Sequence, residues 1–463
     1  MFTIKDKKFL VVGLGKSGVA CARFLKEQGG LVAATDSKSI DNLNEGAQRL
    51  KELGIHMETG GHTIEPFLNS DLIVLSPGVP TTIAPIKEAK ERGIKIISEI
   101  ELAYNFIKTP IIAITGTNGK TTTTTMVGEI LKRSYKEVFV GGNIGNPLIE
   151  YTRSGREAGY VVAEISSFQL EGIIDFRPKI AVLLNISPDH LDRHPSYQDY
   201  IEAKTRIFLN QRRGDFAVLN ADDPLVSKIA GSLEKVTKVY FSKNERVDKG
   251  VYLEGGSIVS EIRDEKYCYS MESFKIKGVH NIENIMAAIA VSEICRCDSE
   301  DIKEAVNSFK GLEHRMEFVE EISGVNYYND SKATNIGALE KSLESFDQPI
   351  ILVAGGKDKG TGYERLKNLV KEKVKRLILI GEAKEIIYEN LGALTKSAKA
   401  DTLQEAAELA WLDSSPGDIV LFSPACSSFD MFRNYEERGD TFKIIVRELK
   451  AKTNGIRNHV GEG

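Results

Sequence analysis

Cysteine is scarce and scattered. Five residues in 463, Cys21, Cys268, Cys295, Cys297 and Cys426, are odd in number and contain no C-x-x-C pair, which excludes a disulfide framework or zinc knuckle and reads them as reduced, small hydrophobes. Long hydrophobic runs are missing too: no stretch approaches the roughly 18 apolar residues that suggest a membrane span. The opening MFTIKDKKFLVVGLG runs its apolar stretch straight into a glycine turn, without the h-region and small-residue cleavage site of a signal peptide. A cytoplasmic protein with no membrane partner is expected. Nor does charge of one sign dominate. With 61 basic and 66 acidic residues the formal net charge is −5, and no basic stripe is present to follow a nucleic-acid backbone, so nucleic acid is not an expected partner.

What remains is globular in balance, with 41% apolar and 27% charged residues. The chain is too long for one core, and about 150 residues per domain gives roughly three domains. KKFLVVG, LVAATD and SDLIVLSPG read as strands around the helical SGVACARFLKEQG, the rhythm of a βαβ sheet. A second unit opens on PIIAITG and continues through YVVAEISS and KIAVLLNIS, apolar strands without alternation that read as buried on both faces of a parallel sheet. It ends near the helix NIENIMAAIAVSEICRC. Within it, residues 251–270 read as a small antiparallel insertion turning at Gly-Gly. A third unit carries IILVAGG, RLILIG and DIVLFSPA with helical stretches between them, again parallel α/β, and its tail KTNGIRNHVGEG is expected to fray. The fold class is α/β in three domains, spanning 1–100, 101–311 and 312–463: a Rossmann-like nucleotide-binding sheet, a P-loop ATPase-type domain and a second Rossmann-like domain.

The most specific local signal follows PIIAIT. Gly116-Thr117-Asn118-Gly119-Lys120-Thr121 joins a strand to a helix, so backbone N–H groups and a helix N-terminus are placed to hold phosphates. Lys120 is expected on the terminal phosphates, and Thr121 supplies the hydroxyl that a Mg²⁺ bridging β- and γ-phosphates takes as a ligand. The usual pattern has a glycine where Ile114 stands, so this is a shorter G-x-x-G-K-T variant. Thr122 is ambiguous between nucleotide and packing, and packing is favoured for Thr123 to Thr125. Glu164 ends YVVAE where an α/β sheet presents ligands, and is read as a metal ligand, an ion-pair partner or a solvated strand end. The next strand ends in a polar run, 187–194, in which Asp189 is equally readable as a loop cap.

Near the N-terminus, Gly13-Leu14-Gly15-Lys16-Ser17-Gly18 follows a strand, and Asp36 ends the next one. This is the dinucleotide fingerprint. Its physics is broader, because a tight glycine turn and an acid for a hydroxyl pair suit NAD and a UDP-sugar alike.

TGTNGKTTTT, GGNIGNP, AEISSFQL, PDHLDRHP, YIEAKTRIF, HNIENIMAA, HRMEFV, NDSKATN, GGKDKG and SPACSSFD occur in that order, and together they resemble the Mur ligase family from the first glycine turn to Gly439. NDSKATN and SPACSSFD resemble its D-glutamate-adding member. The resemblance implies an ATP-dependent ligation in peptidoglycan precursor synthesis, in which the carboxylate of UDP-N-acetylmuramoyl-L-alanine is phosphorylated and D-glutamate attacks the acyl phosphate.

It also implies site residues. Lys120, Glu164, His190 and Lys204 would be catalytic. Thr121 and Glu164 would hold one Mg²⁺, while His190 and Lys204 serve a second. An ammonium has no lone pair for a metal, so that role needs Lys204 as a carbamate; without the family, Lys204 reads as a solvated helix lysine. Asn143 and Gln169 would touch the muramoyl-alanine end, and Gly15, Ser17, Asp36, Ser76, Pro77 and Gly78 the UDP, making the fingerprint a UDP site. Besides residues 116–122, Asn281, Asn284, Arg315 and Asp330 are expected around ATP, with His280 and His314 as structural neighbours. Lys332, Thr334, Lys359, Ser428 and the Phe429 backbone would take D-glutamate, whose two carboxylates call for a cation and neutral donors. A monomer is expected. The competing readings are another amide ligase of the family, a nicotinamide-dependent dehydrogenase with an accessory ATPase domain, and a non-catalytic nucleotide switch.

Overall fold

The computed structural model describes residues 3–155, 157–191, 193–274, 279–358, 360 and 362–460. Three sheets follow one another along the chain. The first has five strands, β1 (Lys8–Val12), β2 (Leu31–Asp36), β3 (His56–Thr59), β4 (Leu72–Leu75) and β5 (Lys95–Ser98), all parallel in the order β3-β2-β1-β4-β5. The apolar run FLVV of β1 is central and wholly buried, as a strand covered on both faces requires.

The second sheet holds nine strands: β6 (Ile111–Thr115), β7 (Val138–Gly142), β8 (Tyr160–Glu164), β9 (Ile180–Leu183), β10 (Phe216–Asn220), β11 (Thr237–Ser242), β12 (Val251–Glu254), β13 (Ser257–Ser260) and β14 (Tyr267–Ser270). Their order is β14-β13-β12-β11-β10-β9-β6-β8-β7. Residues 251–270 do make the expected hairpin, turning at Gly255-Gly256. They are not a separate insertion, however, because β12 pairs parallel with β11 and continues the large sheet.

The third sheet comprises β15 (Glu317–Ile322), β16 (Val325–Asn329), β17 (Ile350–Gly355), β18 (Val374–Ile380), β19 (Lys396–Lys399) and β20 (Ile419–Phe422). The order is β15-β16-β20-β17-β18-β19; only β15 runs antiparallel, against β16. Apolar clusters cover both faces, Leu352 and Leu421 on one side and Val353 and Phe422 on the other. Of the tail expected to fray, residues 452–460 instead continue the helix Tyr435–Val460, whose Phe442, Val446 and Leu449, earlier in it, pack into the second cluster. The i, i+4, i+7 spacing of these apolar residues is a helical stripe. Among the cysteines, four are buried as expected and Cys268 is exposed.

The chain forms two compact units. One is 1–186 with 198–269 and 285–306; the other is 187–197 with 270–284 and 307–463. Among the described residues no helix is long and apolar enough to cross a membrane.

One carboxyl in the first unit is poised by its burial. Glu99 opens the helix Glu99–Tyr104 directly after β5 and is fully buried. Its Oε1 accepts the Ile149 N–H at 2.8 Å, while Oε2 has no partner. Burial pushes its pKa up to about 7, against the opposing backbone hydrogen bonds from Ile149 and Leu148. A carboxyl raised in the folded state holds a proton that the unfolded chain releases near its ordinary value. Stability therefore falls as pH rises from about 4.5 to about 7, by about 3 kcal/mol in all, and is flat above. Glu99→Gln removes this slope. Urea unfolding at pH 5 and pH 8 is expected to show the variant gaining about 2.5 kcal/mol on the parent across that interval; parallel curves would refute the assignment.

Candidate active site

In the first unit the residues singled out from the sequence converge on one edge of the second sheet. The phosphate loop leaves β6, Glu164 ends β8 and Asn143 follows β7, so all three lie at the C-terminal ends of parallel neighbours, where open α/β sheets bind ligands. Gly119, at φ 85°, is the residue before the helix Lys120–Ser134. That left-handed conformation favours glycine. It turns the chain so that the helix opens at Lys120. Of the threonines, Thr122, Thr123 and Thr124 are buried and Thr125 is half-buried, in keeping with packing.

The loop is braced from below by a residue that sequence reasoning missed. Asn185, just past β9, accepts the Asn118 N–H through Oδ1 at 2.8 Å and donates Nδ2 to the Asn118 carbonyl at 3.2 Å. Its own carbonyl accepts the Thr117 N–H at 2.9 Å. Tyr200, on the helix Tyr197–Thr205, is hydrogen-bonded to the Thr117 hydroxyl at 3.0 Å. Two ammonium groups then meet at one acceptor, since Lys120 Nζ donates to the Gly116 carbonyl at 2.9 Å and Lys204 Nζ to the same oxygen at 2.8 Å. Lys204 is only 2% exposed, with its ammonium 4.7 Å from the centre of the Tyr200 ring. It is not the solvated helix lysine that its local sequence suggests.

Glu164 is equally enclosed, at 2% exposure. Asn143 Nδ2 donates to its Oε1 at 2.8 Å, and the Asn143 N–H to its carbonyl, whereas Oε2 is buried without a partner. Gln169 is fully buried in a capping box with Ser166, its Nε2 also unpartnered. Among the described residues no three His, Cys, Asp or Glu side chains gather into a ready-made metal cluster. A cavity of about 630 Å³ in the same unit, between the helices Tyr197–Thr205 and Pro224–Gly231, is lined by none of the expected site residues.

The N-terminal turn is held by its own acid. Asp36 Oδ2 accepts the Leu14 N–H at 2.6 Å and Oδ1 the Lys38 N–H at 2.8 Å, while the Ser76 hydroxyl donates to the Gly13 carbonyl at 2.7 Å. A Cβ on Gly18 would come within 1.8 Å of the Gly13 carbonyl oxygen, so no other residue fits there. Gly15 and Gly78 are exposed, with Ser17 and Pro77 half-buried beside them.

The second unit brings together the other group. The loop after β16 carries Asp330, Lys332 and Thr334, and the loop after the neighbouring β20 carries Ser428 and Phe429. Asp330 is fully enclosed; Oδ2 accepts the Ser342 and Ser423 hydroxyls, and Oδ1 the Met316 N–H. Burial raises its pKa to about 6, with these hydrogen bonds and the nearby Arg315 charge opposing the shift. Lys332 Nζ donates to the Tyr435 hydroxyl at 2.6 Å. Arg438, 1% exposed, ties the two loops: Nε and Nη2 donate to the Ser331 hydroxyl and carbonyl, Nη2 to the Cys426 carbonyl and Nη1 to the Ser427 carbonyl. That burial depresses its pKa to about 10. Ser428 is 2% exposed, whereas Phe429 is largely open. Asn281 and Asn284 are buried and joined by a 3.3 Å hydrogen bond. His190, at φ 55°, lies in this unit, as does buried His314, whose Nδ1 is hydrogen-bonded to Asn329. Lys359 and the His280 side chain lie outside the described residues.

Three family descriptions match the chain in series: "Mur ligase MurD-like, N-terminal domain" over residues 7–98, "Mur ligase middle domain" over 114–292 and "Mur ligase, glutamate ligase domain" over 314–426. A UDP-N-acetylmuramoylalanine--D-glutamate ligase from Geobacter sp. is 54% identical over 447 residues, covering 96% of this chain and 99% of its own. The chain belongs to the Mur ligase family. A ligase of the same name from Geotalea daltonii is 55% identical, over 96% of this chain and 98% of its own. Among solved structures, the Thermotoga maritima UDP-N-acetylmuramate-alanine ligase MurC superposes with a TM-score of 0.59 at 21% identity, over 96% of this chain and all of that one. A pseudomurein peptide ligase type C from Methanothermus fervidus does so at 0.62 and 20%, with the same coverage. These two matches establish a shared three-domain α/β fold. As a Mur ligase, the chain carries its N-terminal glycine turn inside a matched family domain, and the dehydrogenase reading finds no support.

The Asn185 brace is testable alone. Asn185→Ala leaves the Asn118 amide without its acceptor, at a cost of about 1–1.5 kcal/mol per hydrogen bond. ADP binding by calorimetry is expected to weaken about tenfold, which is about 1.4 kcal/mol. An affinity within twofold of the parent would show that the loop holds its shape unaided.

Proposed function

We propose that this Mur ligase joins D-glutamate to UDP-N-acetylmuramoyl-L-alanine, converting ATP to ADP and phosphate, as a step of peptidoglycan precursor synthesis in the cytoplasm. The observation that carries this reading is the 54% identity, over 96% of the chain, to a ligase of that name.

The chemistry accounts for the parts. A carboxylate is a poor acyl donor because its oxide leaves badly. In the first step its oxygen attacks the γ-phosphorus, the bond to ADP breaks, and an acyl phosphate forms. The D-glutamate amine then attacks the carbonyl carbon, phosphate leaves with its oxygen, and the nitrogen gives up its proton. Both partners of the first step are anions, so positive charge at their meeting point is the main requirement. Lys120 brings that charge on a loop whose amides are already oriented.

The Thr121 hydroxyl and the Glu164 carboxylate are hard oxygen donors, the kind Mg²⁺ takes beside phosphate oxygens. The unpartnered Glu164 Oε2 fits such a ligand. Bound there, Mg²⁺ neutralises charge on the phosphate oxygens. His190 and a carbamoylated Lys204 serve a second ion. The carbamate has electrostatic support: two ammonium groups sharing Gly116 O lie within about 6 Å of each other, and their repulsion is about 3 kcal/mol at an effective dielectric near 20. Carbamoylation replaces one cation by an anion with two donor oxygens.

UDP is held by Gly15, Ser17, Asp36 and the Ser76-Pro77-Gly78 turn, and the muramoyl-alanine end by Asn143 and Gln169. The nucleotide takes residues 116–122 with Asn281, Asn284, Arg315 and Asp330. D-Glutamate is received by Lys332, Thr334, Lys359, Ser428 and the Phe429 backbone. The domains divide as 1–100, 101–311 and 312–463, and the enzyme works as a monomer.

Phosphate release from ATP with UDP-N-acetylmuramoyl-L-alanine tests the reading. Release is expected to depend on D-glutamate and give a product one glutamyl unit heavier, with L-glutamate inert; indifference to the isomer would overturn the substrate assignment. For the carbamate, Lys204→Ala is expected to lose nearly all activity and to recover part of it with small carboxylic acids. Absence of rescue in a folded variant would remove the carbamate.

A further inference from the structure

Asp189 is a residue the proposed reaction leaves without a role, yet it is 6% exposed and committed at both oxygens. Oδ1 accepts the N–H of His190 at 2.9 Å. Oδ2 accepts Nδ2 of Asn335 at 3.1 Å and lies 3.7 Å from Nε2 of His190. Asn335 is itself 5% exposed and committed at both ends of its carboxamide, since its Oδ1 accepts the Ala338 N–H at 2.8 Å and caps the helix Ile336–Glu344.

His190 needs such support. Its φ of 55° is a left-handed conformation that costs a non-glycine residue energy and persists only where the surroundings fix it. The Arg193 and His194 N–H groups both donate to the His190 carbonyl at 3.0 Å, closing the turn downstream. Upstream, the grip on its amide is Asp189, and Asp189 is gripped in turn by Asn335. The far end of this chain is firmly set. Lys332 N–H donates to the His314 carbonyl, Ala333 N–H to the Asp330 carbonyl and Thr334 N–H to the Lys332 carbonyl, at 2.8 to 3.0 Å. Asn335 is thus the next residue of the segment that carries Lys332 and Thr334.

We propose that Asn335 is a positioning residue for His190: through Asp189 it fixes the His190 turn to the segment proposed to receive the amino-acid substrate. A carboxamide suits this task because one end must accept from a helix amide while the other donates to a carboxylate. Aspartate and serine can cap a helix equally well, but neither can donate from the same place to Asp189. The significance for ligation rests on the function proposed above; the link itself does not.

The two duties of Asn335 separate by substitution. Asn335→Ser keeps a capping oxygen and loses the donor. In hydrogen exchange on the full chain, amides of 187–191 are expected to exchange at least tenfold faster, while 336–344 stay unchanged; kcat falls about tenfold and the KM for ATP moves less than twofold. The paired variant Asn335→Asp with Asp189→Asn reverses the bond, since the carboxamide then donates from the His190 side to a carboxylate on the helix cap and still accepts from the His190 amide. It is expected to restore the slow exchange in 187–191 that each single change loses, and to raise kcat above that of either single variant, short of the parent because the carboxylate beside His190 Nε2 is gone. Unchanged exchange in 187–191 for Asn335→Ser, equal loss in both segments, or a paired variant no better than its singles overturns the proposal. If the parent shows no D-glutamate-dependent phosphate release, the functional reading fails, and the exchange result still decides the role of Asn335.

Discussion

Two ammonium groups share the carbonyl oxygen of Gly116, and much of the first unit is arranged around that fact. Lys120 donates also to the Thr117 carbonyl at 2.8 Å, so the backbone of the phosphate loop draws two cations side by side, where phosphate anions would meet them. A third party keeps the geometry: Asn185 holds the backbone of Asn118 by two hydrogen bonds and Thr117 by one. The loop therefore does not have to organise itself when phosphate arrives, and preorganisation of this kind is where electrostatic catalysis draws its strength.

The second unit solves a different problem by different means. Its proposed substrate side consists of two loops that follow neighbouring strands, each set by a few backbone hydrogen bonds of its own but needing a link to the other. Arg438 supplies that link, four donations from a buried guanidinium to Ser331, Cys426 and Ser427. Burying a charge is costly unless its hydrogen bonds are made, and here the partners are carbonyls and a hydroxyl rather than a carboxylate. Asp330 completes the frame by gathering Ser342, Ser423 and the Met316 amide.

How far this could be read in the sequence follows from the range of each interaction. The phosphate loop was legible because glycine, lysine and threonine act there through local backbone geometry. Glu164 was legible as an acid at a strand end, but its three readings could be narrowed only once its burial and the Asn143 contact were visible. Lys204 is the instructive case. Its neighbours suggest a solvated helix lysine, the family resemblance suggests a carbamate, and the structure buries it against Gly116, 88 residues away in the chain. Asn185 and Arg438 carried no signal for the same reason, and Asn335, though it caps a helix three residues on, gave none of its bond to Asp189, 146 residues away. The apolar stripe of the last helix ends at Leu449, so residues 452–460 continue it without an apolar signal of their own.

This pattern also explains why polar residues with no role in bond making are buried so completely. Asn185 and Arg438 each join backbone segments that follow different strands, and Asn335 joins a helix amide to the Asp189 carboxylate; truncating any of them removes hydrogen bonds on both sides at once. Such residues hold the segments that carry Lys332, His190 and Lys120, the side chains proposed to act on the substrates. A shift of about 1 Å in a positioned group can cost on the order of a hundredfold in rate. The groups that hold the loops therefore enter the ligation proposed above alongside the groups those loops present.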